Sequence, residues 1–395
     1  MNIARHGVEP PSSPSSPRRT ADFGSVCSVV DFKVSQCQVP NPKGTRTTGP
    51  KNLISRCVLC VLCGSLSGFP AASAFAQQPT PLERSLQIRQ AQMPNDGEVH
   101  VVPVQGNVYM LVGAGGNIAV QIGDEGVLVA DTGTAQMSEK VLAAIKKLSD
   151  KPIRYILNTH FHPDHTGGNL TIGKAGSTTR GGATEVIAHE NVLNRMSAPA
   201  GKQSPTPTEA WPTDTFFPEE KDFFFNEEAV MLYHDQAAHT DGDSIIFFRR
   251  SDVVVAGDIF ITTGYPVIDT QNGGSVFGVI NGLNRILDLT VPKHEQEGGT
   301  YVIPGHGHLC DESEVLEYRD MVVIIKERIE DMVKRGMTLA QVKASKPTLD
   351  YELHYGAETG PWTTAMFIEA VYGDVSKAMT QKPQAAPKPA PKGKP

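Results

Sequence analysis

The twelve residues Asn158-Thr159-His160-Phe161-His162-Pro163-Asp164-His165-Thr166-Gly167-Gly168-Asn169 constrain this chain more than any other stretch, because four potential metal ligands fall between positions 160 and 165. The block directly follows Ile153 to Leu157, an apolar run of strand length that stops at Asn158. At extended spacing His160 and His162 point the same way, while Pro163 turns the chain and brings Asp164 and His165 in from another side. One ion cannot comfortably take all four, so the spacing points to two neighbouring metals. A lone His-x-His would read as a surface loop. Here ligand-type residues recur after later strands, at His239 in Ala237 to Gly242, at Asp258 after Ala256-Gly257, and at His306 between Gly305 and Gly307.

The flanking sequence predicts alternating strands and helices. From Val108 to Ala130 short Val/Ile/Leu-rich runs alternate with the turns Gly113 to Gly116 and Gly123 to Gly126, as antiparallel hairpins require. Met137, Val141, Ile145 and Leu148 recur at helical spacing. In the second half, strands are predicted at Phe223 to Leu232, Ser244 to Phe248, Asp252 to Ala256 and Tyr301 to Ile303, with a helix over Val276 to Leu289. A long amphipathic helix follows, with Tyr318, Val322, Ile325, Ile329 and Met332 on one face, Asp311 and Glu314 spaced as a capping box, and Gly336 to stop it. Strands grouped beside helices in each half predict two sheets face to face with helices outside. Each half also runs a buried strand into an aspartate, Val127 to Asp131 and Val253 to Asp258.

The strongly apolar run Cys57 to Pro70 is too short to span a bilayer, which needs about 20 residues. Preceded by Lys51 and Arg56 and followed by Ala74-Phe75-Ala76, it has the shape of a secretory signal, with cleavage expected near Ala76 and export to the periplasm or beyond. Residues 1–50, rich in Pro, Ser, Arg and Thr and without hydrophobic period, are expected to be a disordered extension or an over-called start. Residues 51–76 are then the signal peptide, 77–380 the folded domain, and 381–395 a flexible Pro/Ala/Lys tail. Five of the six cysteines lie in the leader, which leaves Cys310 alone and excludes a disulfide within the mature chain. Removal of residues 1–76 takes eight basic and three acidic side chains from the 36 and 43 of the whole chain, leaving a net charge of −12. That charge argues against a nucleic-acid partner, and no membrane span is expected in the mature chain.

In this order, Asp131, the His-x-His-x-Asp-His block, His239, Asp258 and His306 resemble the motifs of the metallo-β-lactamase superfamily, over about residues 98 to 330. The resemblance implies an α/β fold, a four-layer αββα sandwich with two zinc ions at one edge of the sheets. By it, His160, His162 and His239 hold the first zinc and Asp164, His165 and His306 the second. Asp258 bridges both, and Asp131 fixes the ligand loop from behind. Iron or manganese also suits a carboxylate bridge.

The activity implied is hydrolysis of an acyl bond in a small-molecule substrate, an ester, lactone, thioester or β-lactam amide, by a metal-bridging hydroxide that Asp164 orients. Lactam-hydrolysing branches generally carry Cys or Ser where this chain has Asp258, which points away from a dedicated lactamase. Two other classes stay open, a di-iron redox enzyme of the same fold and a non-catalytic periplasmic binding or accessory protein that retains the site. Trp211, in the Pro-rich loop Gly201 to Glu220, and Tyr265 are the candidate substrate contacts. His308 reads as a surface turn residue, Cys310 as a small core residue and His189 as structural.

Overall fold

The computed structural model describes residues 93–178, 181–198, 206–295 and 298–380, all within the unit Phe75–Pro395. The expected N-terminal extension, signal segment and C-terminal tail lie outside the described residues, as do residues 201–205 of the Pro-rich loop. Among the described residues, seven strands form one sheet in chain order: β1 (His100–Gln105), β2 (Val108–Val112), β3 (Ile118–Gly123), β4 (Gly126–Ala130), β5 (Ile153–Leu157), β6 (Glu185–His189) and β7 (Asp214–Phe216). Pairing is antiparallel from β1 to β4 and parallel from β4 to β7. The second sheet holds β8 (Glu220–Phe225), β9 (Glu228–His234), β10 (Ser244–Phe248), β11 (Val253–Gly257), β12 (Tyr301–Pro304) and β13 (Cys310–Asp311), in the order β13-β12-β11-β10-β9-β8. Its one parallel pair is β11 with β12.

The helices are α1 (Ser138–Leu148), α2 (Pro163–Thr166), α3 (Asn169–Ala175), α4 (Glu190–Ser197), α5 (Val276–Leu289), α6 (Glu312–Lys334), α7 (Leu339–Ala344), α8 (Glu352–Tyr355) and α9 (Thr364–Thr380). Met110, Leu128 and Leu157 of the first sheet meet Leu232, Ile246, Phe248 and Ile303 of the second in one buried cluster. Alternation then turns Val127, Val129 and Ile156 the other way, onto Val141 and Ile145 of α1 and Ile172 of α3. Ile245, Val254 and Val302 likewise face Leu283 of α5, Val322 of α6 and Phe367 of α9. This is the expected αββα sandwich. Strands β4 and β11, covered on both faces, are buried throughout. Among the described residues no helix is long and apolar enough to cross a membrane.

Three local expectations are corrected. The strand predicted from Phe223 to Leu232 is a hairpin that reverses at Asn226 and Glu227, which have φ of 50° and 66°. No glycine marks this turn. It is held across the sandwich instead, where Asn226 Nδ2 donates to the Gly126 carbonyl at 3.1 Å and its backbone N–H to Glu125 Oε1 at 2.9 Å. The strand expected to begin at Asp252 begins at Val253, because Asp252 is in the turn with φ 54°. At the start of α6, Asp311 caps by accepting from the Ser313 N–H, but no capping box forms there. The Glu314 carboxylate is engaged by His308 Nε2 at 2.9 Å, and Gly336, at φ 76°, ends the helix as expected.

Candidate metal centre

The edge of the sandwich where β4, β5, β9, β11 and β12 end carries Asp131 and the seven predicted metal ligands. Asp131 follows β4 in the left-handed region at φ 61°, a conformation that Asp adopts more readily than most residues. Its buried carboxylate accepts from the Thr159 N–H at 2.8 Å, from Thr159 Oγ1 at 2.7 Å and from His165 Nδ1 at 2.7 Å. Because a carboxylate only accepts, His165 carries its proton on Nδ1 and turns Nε2 inward. The Thr159 hydroxyl spends its proton on Asp131 and so accepts from His160 Nδ1 at 3.1 Å, which turns His160 Nε2 inward too.

The later ligand candidates come from turns closed by their own hydrogen bonds. Asp243, fully buried, accepts from the Thr240 N–H at 2.7 Å and Thr240 Oγ1 at 2.6 Å, and fixes the turn after His239. Burial pushes the Asp243 pKa up to about 6. His239 Nδ1 donates to the Val267 carbonyl at 2.7 Å, leaving Nε2 for the site. Asp258 follows β11 and His306 follows β12, and the Gly305 N–H donates to the Gly257 carbonyl at 2.9 Å to join the two turns. A β-carbon on Gly305 would fall 2.0 Å from Asp258 Oδ1, so the close approach of these turns requires glycine there.

All seven predicted donors converge. One group is His160, His162 and His239, another Asp164, His165 and His306, each with donor atoms within 4.8 Å of one another. Asp258 lies between them. Its Oδ2 is 3.6 Å from His239 Nε2 and 3.9 Å from His160 Nε2, and its Oδ1 is 3.2 Å from His165 Nε2 and 3.5 Å from His306 Nε2. Asp164 Oδ2 is 3.2 Å from His306 Nε2.

The donor set fits metal ions by two observations. His160 Nε2 and Asp258 Oδ1 are buried without a hydrogen-bond partner, a costly state that a cation at each would relieve. Proton affinities show how strongly these donors are coupled. Burial, with His165 beside it, holds His160 well below the ordinary imidazole range. Burial also opposes charge on Asp258 and His165, yet the imidazoles of His306 and His165 hold Asp258 well below the usual carboxylate range, while Asp258 and Asp131 hold His165 well above its own. Against the opposing effect of burial, His306 and His165 bring Asp164 down to about 2.

A cavity of about 450 Å³ opens over the donors, with His162, Asp164, His239, Asp258 and His306 at one side and Ile261, Tyr265, Val267, Tyr355, Pro361 and Trp362 among its other walls. Tyr265 lines it with its ring, its hydroxyl being committed to the Thr348 carbonyl at 3.2 Å. Trp211 is not among the lining residues. Its Nε1 donates to the Thr206 carbonyl at 2.7 Å and its ring packs with Phe161 against Val192 and Met196, so its expected substrate role is corrected to packing behind the ligand loop. His308 is buried rather than on a surface turn, held between Glu314 and Thr262, and the Cys310 thiol donates to its carbonyl. His189 stacks on His234 and its Nδ1 accepts from the Asn191 N–H at the start of α4.

Sequence reasoning missed Trp362, Tyr355 and Asp269, whose carboxylate lies 3.1 Å from His162 Nε2. The spacing of Asp269 to Asn272 before Gly273-Gly274, an Asx-type turn, was the signal available for the last.

A family model described as the metallo-beta-lactamase superfamily matches residues 101–306, just over half the chain. Over 73 residues, 18% of this chain and 14% of the other, the sequence is 40% identical to a linear primary-alkylsulfatase of Pseudomonas sp.. Among solved structures, the stereoselective inverting sec-alkylsulfatase Pisa1 from Pseudomonas sp. is similar with TM-score 0.54 and 16% identity, covering 69% of this chain and 50% of that one. A double mutant of that enzyme gives TM-score 0.53 and 17% identity, over 74% and 51%. The chain thus spans about half the length of these solved relatives, and at such identity the likeness is one of fold. With its motifs in order, its donors converged and its family segment matched, the chain belongs to the metallo-beta-lactamase superfamily.

Proposed function

We propose that this protein is a metal-dependent hydrolase with two divalent ions, zinc by donor type, that cleaves an ester bond in a small molecule with an apolar portion. The observation that carries this is the split reach of Asp258, one oxygen toward each group of three donors, with Oδ1 buried and unpartnered. Imidazole and carboxylate donors in two such groups suit a zinc pair. When bound, the ions supply activation of water near neutral pH and polarisation of the scissile bond.

The chain's own residues do the rest. Asp164, half-exposed and ionised down to about pH 2, accepts a hydrogen bond from water entering the cavity and sets the direction of its lone pair. Asp131, Thr159 and the Val267 carbonyl hold His165, His160 and His239 by their outer nitrogens and so fix where the inner ones point. Ile261, Tyr265, Val267, Tyr355, Pro361 and Trp362 exclude water beside the donors and accommodate an apolar group.

Acyl esters, lactones and thioesters fit this reading, and so do sulfate esters of alkyl chains, which the local identity to a linear primary-alkylsulfatase supports. A panel of alkyl sulfates, aryl and alkyl acyl esters, lactones, thioesters and nitrocefin, assayed with and without chelator, tests it. Chelator-sensitive turnover of an ester is expected. No turnover of any substrate by protein holding two transition metals per chain would favour a binding protein, and peroxide or nitric oxide turnover by an iron-loaded form would favour redox chemistry. The sequence-based expectation of export is part of this proposal and is tested by the N-terminus of the processed protein.

A further inference from the structure

We infer that Asp269 is a positioning residue that sets which nitrogen of His162 faces the metals: it takes the Nε2 proton and leaves Nδ1 as donor, the opposite of the assignment at His239. This inference rests on the metal-centre reading above.

The protons can be assigned from partners that only accept. His239 Nδ1 is 2.7 Å from the Val267 carbonyl, so it is protonated and Nε2 carries a lone pair. His162 Nε2 is 3.1 Å from Asp269 Oδ2, so the proton is there and Nδ1 carries a lone pair. These two inner nitrogens lie only 2.9 Å apart. Two lone pairs facing at that distance repel unless a cation or a proton sits by them, so the two contacts together define a place for positive charge.

Asp269 is itself held firmly. Its Oδ1 accepts from the Asn272 N–H at 3.1 Å and its Oδ2 from Asn272 Nδ2 at 2.6 Å. Arg195 of α4 donates to Asn272 Oδ1 at 3.0 Å and to Asp241 Oδ2 at 2.6 Å. The backbones are tied as well, the Asp269 N–H donating to the His239 carbonyl at 3.0 Å and the Asp241 N–H to the Asn272 carbonyl at 2.9 Å. The segment from Val267 to Asn272 therefore orients two ligands at once, His239 through a carbonyl and His162 through a carboxylate. Val267 of this segment lines the cavity over the donors, and Val267 to Gln271 line a neighbouring one. A shift in it moves the donors together with the Val267 part of the cavity wall.

The test compares wild type with Asp269→Asn and Asp269→Ala. Two readouts are used, the nitrogen-15 shifts of the His162 ring in metal-free protein and zinc affinity by competition with a chromophoric chelator. Wild type is expected to show the Nε2–H form of His162 without metal. Asp269→Ala should lose that preference and bind the tighter zinc about 10- to 100-fold more weakly, with circular dichroism unchanged. Asp269→Asn retains an acceptor oxygen and should recover part of both. An Nδ1–H ring in metal-free wild type, or equal zinc affinity in Asp269→Ala and wild type, overturns this inference alone. Wild type that binds no zinc overturns the metal-centre reading, and this inference with it.

Discussion

Asn158 and Asn169 exchange two side-chain hydrogen bonds, Asn158 Nδ2 to Asn169 Oδ1 at 3.1 Å and Asn169 Nδ2 to Asn158 Oδ1 at 2.8 Å, and so clamp the two ends of the segment that carries His160, His162, Asp164 and His165. Thr132 Oγ1 adds a third bond to Asn169 Oδ1 at 2.9 Å, and all three residues are buried. Asn169→Ala strands the Asn158 amide and should cost about 1–3 kcal/mol, whereas in Asn158→Ala the Asn169 amide retains Thr132 and the Ala210 carbonyl, so the cost should be smaller. The double variant should cost less than the two singles together, with a coupling of about 1–2 kcal/mol in urea denaturation of metal-free protein. Strict additivity would show that the pair does not act as a clamp.

The bridge makes a separate prediction. Asp258→Asn preserves size but halves the charge balance between two cations, and its amide nitrogen cannot coordinate. The variant should retain one metal per chain and lose the second on dialysis, as metal analysis would reveal, with turnover down by at least about 100-fold. Gly305→Ala, whose β-carbon would crowd Asp258 Oδ1, should lose metal in the same order. Two tightly held metals and full activity in Asp258→Asn would rule out the bridge.

Trp362 offers a prediction about the cavity. Its Nε1 is buried with no acceptor among the described residues, while the ring lines the wall beside the donors. Trp362→Ala should raise KM for substrates with an apolar group by about 10-fold, roughly the loss of 1.4 kcal/mol of apolar burial, with metal content unchanged. Trp362→Phe retains the ring and removes the N–H, so any additional loss relative to a substrate lacking an acceptor reports a hydrogen bond to the substrate. A KM profile that ignores both changes would show that substrate lies elsewhere.

Stability should fall in mild acid through His234. Its ring stacks on His189 with centroids 3.5 Å and planes 5° apart. Burial and the His189 ring hold its pKa down to about 4 from an ordinary 6.5. Between these values the unfolded chain binds more protons, so the contribution is complete above pH 6.5 and is lost as pH falls toward 4. The loss is up to about 3 kcal/mol. Urea denaturation at pH 7 and pH 4.5, in chelator so that metal release does not contribute, should show the loss in wild type and a smaller one in His234→Gln. Equal slopes would remove His234 as the cause.

The order of elements and the convergence of all seven candidate donors were legible because each lies in the turn, or the one-turn helix α2, that follows an apolar strand, and strand period and ligand type are both local signals. The hairpin at Asn226 was not, since its left-handed residues are stabilised by Gly126 and Glu125, a hundred positions away in the chain. Asp269 was overlooked for the same reason, its partner His162 being 107 residues distant. Trp211 misled because a tryptophan in a Pro-rich loop has the composition of a binding loop, and only packing against Phe161 and Met196 reveals its place. Glu314 had the spacing of a cap, but spacing cannot reveal that a buried imidazole engages the carboxylate.

Every donor lies between residues 160 and 306, whereas Tyr355, Pro361 and Trp362 of the cavity wall come from the helical region that follows α6. Part of the cavity wall is therefore encoded apart from the donors, while Ile261, Tyr265 and Val267 share the donors' stretch. Substitutions, or exchange of the segment from Leu339 to Thr380, can retune what is accepted while the reacting centre stays fixed. Relatives that share all seven donors need not share a substrate, and divergence among them should be greatest in this last stretch, about a seventh of the folded chain.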